Sequence, residues 1–112
     1  MSEGDWRARV QKNKAERLRR LAGHHRLVIS VSSLLFDADP IGIASQPDEY
    51  DMEAEIISIR LLEGLTEAAL PSAVYETFVS CFDATAAGAA TRYEGVATQI
   101  WEAWRAYREA TP

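Results

Sequence analysis

The sequence predicts an all-α fold, a compact bundle of about four helices, and three observations carry that reading. Apolar side chains recur at three- and four-residue spacing in each long segment. Proline and glycine gather between these segments, with Pro40, Gly42 and Pro47 in one link and Gly64 in another. Only "LVISVSSLLF", residues 27–36, has the β-branched content of a strand, and no second such run exists to pair with it.

Taken in order, the first segment places Trp6, Val10, Leu18, Leu21, His25 and Val28 near one helical face. Arg9, Lys12, Glu16, Arg19 and Arg20 fall on the other. Gly23, followed by His24 and His25, either breaks this helix or is passed through into 27–36, so residues 1–36 read as one helix or two. Asp39-Pro40 ends it, because the residue before a proline is pushed out of the helical region.

The second helix is expected to start near Asp48, whose side chain can cap free N–H groups, with Glu49 and Asp51 favoured by the helix dipole. Met52, Ile56, Ile59 and either Ile57 or Leu61 form its apolar stripe, and Gly64 is its stop. Thr66 is the expected N-cap of a third helix carrying Leu70, Val74, Phe78 and Cys81. Pro71 either kinks that helix or opens it afresh together with Ser72. A small-residue loop, "ATAAGAA", leads to "TRYE", where Thr91 and Glu94 have the spacing of a capping box. Val96, Ala97, Ile100, Trp101, Trp104 and Tyr107 then line one side of the last helix.

A chain of 112 residues, 47% apolar and 26% charged, is long enough for one domain with its own core. The apolar run 27–36 is half the length needed to cross a bilayer, and "DADP" follows it where a cleavage site would need small residues. The expectation is a cytoplasmic protein without a membrane segment. Its single cysteine, Cys81, excludes an internal disulfide. The formal charge of −5 conceals two unlike parts. Residues 1–26, a basic N-terminal helical segment, carry eight Arg or Lys against three acids, a balance of +5. Residues 27–112, the acidic helical body, carry four against fourteen, a balance of −10. Such a body repels anionic partners, which argues against nucleic acid despite the basic first helix.

The densest chemistry lies in "DADPIGIASQPDEYDMEAE", residues 37–55, with seven carboxylates in nineteen positions. Read as a calcium loop from Asp37, it has Asp39 and Gly42 in place, but Ile41 stands where an oxygen ligand is needed. Asp48 stands where a bidentate glutamate is needed. Glu49 and Glu53, like Asp51 and Glu55, are four apart on a helix. The glutamate that a di-metal bundle places three residues before a histidine is replaced by Leu21 and Ala22. Cys81, within "FVSCF", reads as a buried thiol, and no phosphate loop, nucleophile elbow or zinc spacing occurs. No catalytic residue, metal or cofactor is therefore assigned, and the chain reads as a non-enzyme.

The stretches "DPIG", "DEYD", "YETFV" and "RYEGVATQIWEAW" resemble a family of small bacterial all-helical proteins of unknown function, whose signature is DPIG…DEYD and some of whose members are immunity-protein-like. The similarity covers about residues 27–107. Ala38 stands where a tryptophan often precedes the first motif. The resemblance implies a compact helical domain with Asp39, Pro40, Gly42, Asp48, Glu49, Tyr50 and Asp51 as its characteristic surface or hinge.

The function expected is a non-catalytic protein-binding module, immunity- or inhibitor-like, facing a basic protein. Its expected contact residues are Asp39, Asp48, Glu49, Tyr50, Asp51, Glu53 and Trp104. Trp101 and Trp104 lie about 60° apart around their helix, so one can face outward as an anchor. The alternatives are a metal-binding helical protein using the 37–55 carboxylates, and a self-associating domain such as a homodimer.

Overall fold

The computed structural model describes residues 13–43, 45, 46 and 48–110, and every regular element among them is helical. Trp6 and Val10 of the expected apolar stripe and Arg9 and Lys12 of the opposite face lie outside the described residues, as does Pro47.

Within the described residues helix α1 covers 13–20 and α2 covers His25–Ala38, so the described part of the first segment is two helices. The break is at Gly23, whose φ of +85° is accessible to glycine and strained for other residues. His24 closes the turn with its N–H on the Leu21 carbonyl at 2.8 Å, and its Nδ1 meets the Tyr107 hydroxyl at 2.6 Å. The break also moves the apolar face. Leu21 stays buried, while Leu18 and His25 are exposed, and α2 buries Leu27, Val31 and Leu35 at i, i+4 and i+8.

Asp39 ends α2 in the left-handed region, φ 43° and ψ 59°, with its N–H on the Leu35 carbonyl. Aspartate is among the few residues that visit this region readily. Helix α3, Asp51–Leu62, begins one turn later than expected and has no side-chain cap. Asp48 instead stands in the preceding turn, its carbonyl accepting from the Asp51 N–H at 3.1 Å. The buried stripe is Tyr50, Ala54, Ile57 and Leu61, and Met52, expected inside, is exposed. The stop at Gly64 has φ +105°. Its N–H bonds the Leu61 carbonyl and the Leu65 N–H bonds the Arg60 carbonyl, which makes a Schellman motif.

Thr66 caps a turn through the Ala69 N–H, and α4, Leu70–Cys81, then opens with Pro71 in its first turn. Within the small-residue loop, one helical turn forms, α5 at Ala84–Ala87, capped by the Asp83 carboxylate on the Ala86 N–H. A 3₁₀ turn, Ala90–Tyr93, leads directly into α6, Glu94–Ala110. Because the chain is already helical at Ala90, Thr91 lies inside the turn, and the expected capping box does not form.

Helix α2 packs on α3 and α6, and α4 packs on the same two helices from the other side. These four make the bundle, with α2 diagonal to α4 and α3 diagonal to α6. Helix α1 and the short α5 bring the described helices beyond the expected four. Phe78 is the hub of the core, with ring centroids 5.1 Å from Tyr93, 5.6 Å from Tyr50 and 5.8 Å from Phe82. The basic segment, as far as it is described, docks on the chain's own acidic body. Arg17 Nε meets Glu55 at 3.0 Å, and Arg20 meets Glu63 at 3.4 Å. No described helix is long and apolar enough to cross a membrane.

Candidate functional site

The acidic stretch 37–55 forms the corner where α2 ends and α3 begins, and its carboxylates have unlike fates. Asp39 is half-buried and accepts a 2.6 Å hydrogen bond from the Tyr50 hydroxyl. One residue on, the Pro40 carbonyl accepts a 2.7 Å bond from Arg92 Nη1, so the link is gripped from α3's leading turn and from the turn before α6. Tyr50 is completely buried. Burial first, and the adjacent Asp39 carboxylate second, hold its phenol well above the ordinary tyrosine range.

Asp48 and Asp51 are exposed, and Glu49 is half-buried. Asp51 is fixed by the buried Ser32, whose hydroxyl donates to its Oδ1 at 2.5 Å. That bond ties the first residue of α3 to α2. Glu55 is taken up by Arg17. Glu53 is only 2% exposed, and burial, the largest influence, pushes its carboxyl above the usual range. The neighbouring charges of Asp51 and Glu49 act in the same direction, and Arg17 opposes them.

Three of the seven expected contact residues are thus turned inward. Tyr50 closes the link over Phe78, Glu53 is enclosed within α3's packing, and Trp104 is 8% exposed beneath Arg108, whose guanidinium carbon lies 5.5 Å from its ring centre. A surface contact needs an accessible side chain, and these three do not offer one. Trp104 continues the spacing of Val96, Ile100 and Trp104, which is the buried stripe of α6, and that periodicity was the signal for its burial. Trp101, off that stripe, is half-buried and lines an open hollow with Leu62, Leu65 and Arg108. The corner that remains accessible is Asp48 and Asp51, with part of Glu49 and Asp39.

The described residues contain no group of three His, Cys, Asp or Glu placed to hold one metal ion. Tyr50, Ser32 and Arg17 each engage a different carboxylate of the stretch, Asp39, Asp51 and Glu55. Cys81 is half-buried, and its thiol is pushed up to about 11, chiefly by burial and then by the charge of Glu53. Sequence reasoning assigned no role to Ser32 or Arg92, and it placed Leu18, which the structure leaves exposed, on an apolar face. The first two act on residues 19 and 52 positions away, a relation that local patterning does not carry.

No family model matches the chain, and no curated protein and no solved structure matches it.

Proposed function

We propose that the protein is a non-catalytic binding module of the immunity or inhibitor kind, and that it receives a basic protein partner at the α2–α3 corner. The observation that carries this reading is a pair of exposed carboxylates, Asp48 and Asp51, the second held by Ser32, on a body with a balance of −10. Ser32 holds Asp51, so that side chain loses less conformational freedom when a partner binds. An acidic edge on an acidic body steers a cationic surface into register and raises its rate of encounter. The likeness of "DPIG" and "DEYD" to a helical family of unknown function, some of whose members are immunity-protein-like, points the same way.

The test is a pull-down from lysate of the source organism with the full chain as bait, eluted by a salt gradient and read by mass spectrometry. One stoichiometric basic protein released by moderate salt supports the reading. A partner whose retention does not respond to salt overturns its electrostatic basis.

A further inference from the structure

The acidic corner borders an apolar floor that the fold leaves uncovered. Ile29 is 53% exposed and Leu18 is 52% exposed, large apolar side chains facing solvent. Ile29 is the shared wall of two open hollows. One, about 350 Å³, runs along α2 past Ser33 and Phe36 to Asp48. The other, about 320 Å³, runs back past Val28 and His25 to Leu18. Asp51 borders both. From His25 to Phe36 the floor follows α2 for about 16 Å, the length of three helical turns.

We propose that this groove is the docking surface for one amphipathic helix of a partner protein, whose apolar ridge straddles Ile29 and whose flanking Arg or Lys side chains meet Asp48 and Asp51. The proposal rests on the binding-module reading and names its surface and the chemistry of its partner. Charge and desolvation select the occupant. The groove wall is acidic at Asp48 and Asp51, while Glu55 at its far end is already neutralised by Arg17. Phosphate is repelled from such a wall, and a basic flank is attracted to it. The buried hydroxyl of Ser32 is satisfied by Asp51, so an apolar side chain entering the groove strands no buried donor there. Two hollows on either side of one ridge suit anchors at i and i+4 or i+7 of a helix. Their openness to solvent suits a helix better than an enclosed small molecule.

The probe is a synthetic helical peptide of about 18 residues with Leu at i, i+4, i+7 and i+11 and Arg on both flanks. It is titrated into the full chain with isotope-labelled methyl groups. The expected result is saturable binding that shifts the Ile29 and Leu18 methyls, is weakened about tenfold or more by Ile29→Glu, and is weakened by Asp48→Asn with a flatter salt dependence. Trp101→Ala, at the other hollow, is expected to change affinity less than about twofold. Absence of saturable binding, shifts confined to the Trp101 hollow, or unchanged affinity in a folded Ile29→Glu chain overturns the proposal. Sedimentation of the free chain covers the second copy as occupant: a dimer abolished by Ile29→Glu overturns the assignment to a foreign helix. Repeating the pull-down with Ile29→Glu separates this surface from the wider reading. A basic protein still held in a salt-sensitive way leaves the binding-module function standing and removes the groove from it. Peptide binding at Ile29 with no basic protein retained by the parent chain keeps the groove and overturns the function.

Discussion

The hydroxyl of Tyr50 donates to the carboxylate of Asp39 at 2.6 Å, joining the residue that ends α2 to the residue that precedes α3. The bond spans the link containing Pro40 and Gly42, and the tyrosine ring beyond it rests on Phe78 in the core. Anchoring to the core and to the link therefore resides in one side chain. Tyr50→Phe retains the ring and removes the donor, and is expected to cost about 1.5–3 kcal/mol, the range for a hydrogen bond to a charged group. Asp39→Ala loses the acceptor and adds the strain of a left-handed alanine, about 1–2 kcal/mol. It is expected to be the more destabilising of the two. Denaturant midpoints of both variants check this ordering, and equal stability of Tyr50→Phe and the parent would remove the tether's role.

Glu53 carries a pH dependence whose sign follows from its burial. Its carboxyl in the folded chain binds a proton more tightly than in the unfolded chain, where about 4.3 is usual. The stability associated with that difference is fully present below the unfolded value and is lost as pH rises through the folded one. Glu53→Gln, neutral at every pH, is therefore expected to be more stable than the parent at pH near 7, with the two curves converging as pH falls below the ordinary glutamate range. Thermal melts of both chains across that interval read the effect directly. A variant less stable than the parent near neutrality would show that the Glu53 charge is compensated.

Cys81 is expected to be slow to alkylate. With its thiol pushed up to about 11, little thiolate exists near pH 8, and half-burial restricts access. Iodoacetamide labelling of the native chain should run at least about tenfold slower than labelling of the chain in denaturant, since thiolate is the reacting species. Equal rates would mean that the end of α4 opens freely.

Charge at the corner is expected to act on binding and to leave folding alone. Asp48 is exposed, so Asp48→Lys should change stability by no more than about 0.5 kcal/mol. On a basic partner it should slow association by about tenfold at low salt, with the difference shrinking as ionic strength rises. Stopped-flow association at several salt concentrations measures both effects. A change confined to the dissociation rate would place Asp48 inside the contact and not at its steering edge.

The helical class was legible in the sequence because it depends on local spacing. Leu27, Val31 and Leu35 keep the helical period, and Pro40 ends that run. Gly64 marks a true stop, since the left-handed conformation there selects glycine. The bundle arrangement of α2, α3, α4 and α6 follows from amphipathic segments that bury their apolar faces against one another. Starts were less legible. Asp48 and Thr91 both have cap chemistry, yet α3 begins after Tyr50 and a 3₁₀ turn is already formed at Ala90, because the core positions of Tyr50 and Tyr93 override the cap preference.

By itself the sequence determined what each segment is: helix, link, acidic body and basic leading segment, all properties of neighbours along the chain. Only the tertiary structure decided which carboxylates remain outside. Asp51 and Glu53 are two residues apart and look alike in sequence, but helical geometry turns one toward Ser32 at the surface and the other inward. Trp101 and Trp104 divide in the same way. Burial depends on which face of a helix meets its partner, and partners such as Arg92 and Pro40 lie 52 residues apart. That is a relation of packing in space, and it is what shaped the corner between α2 and α3.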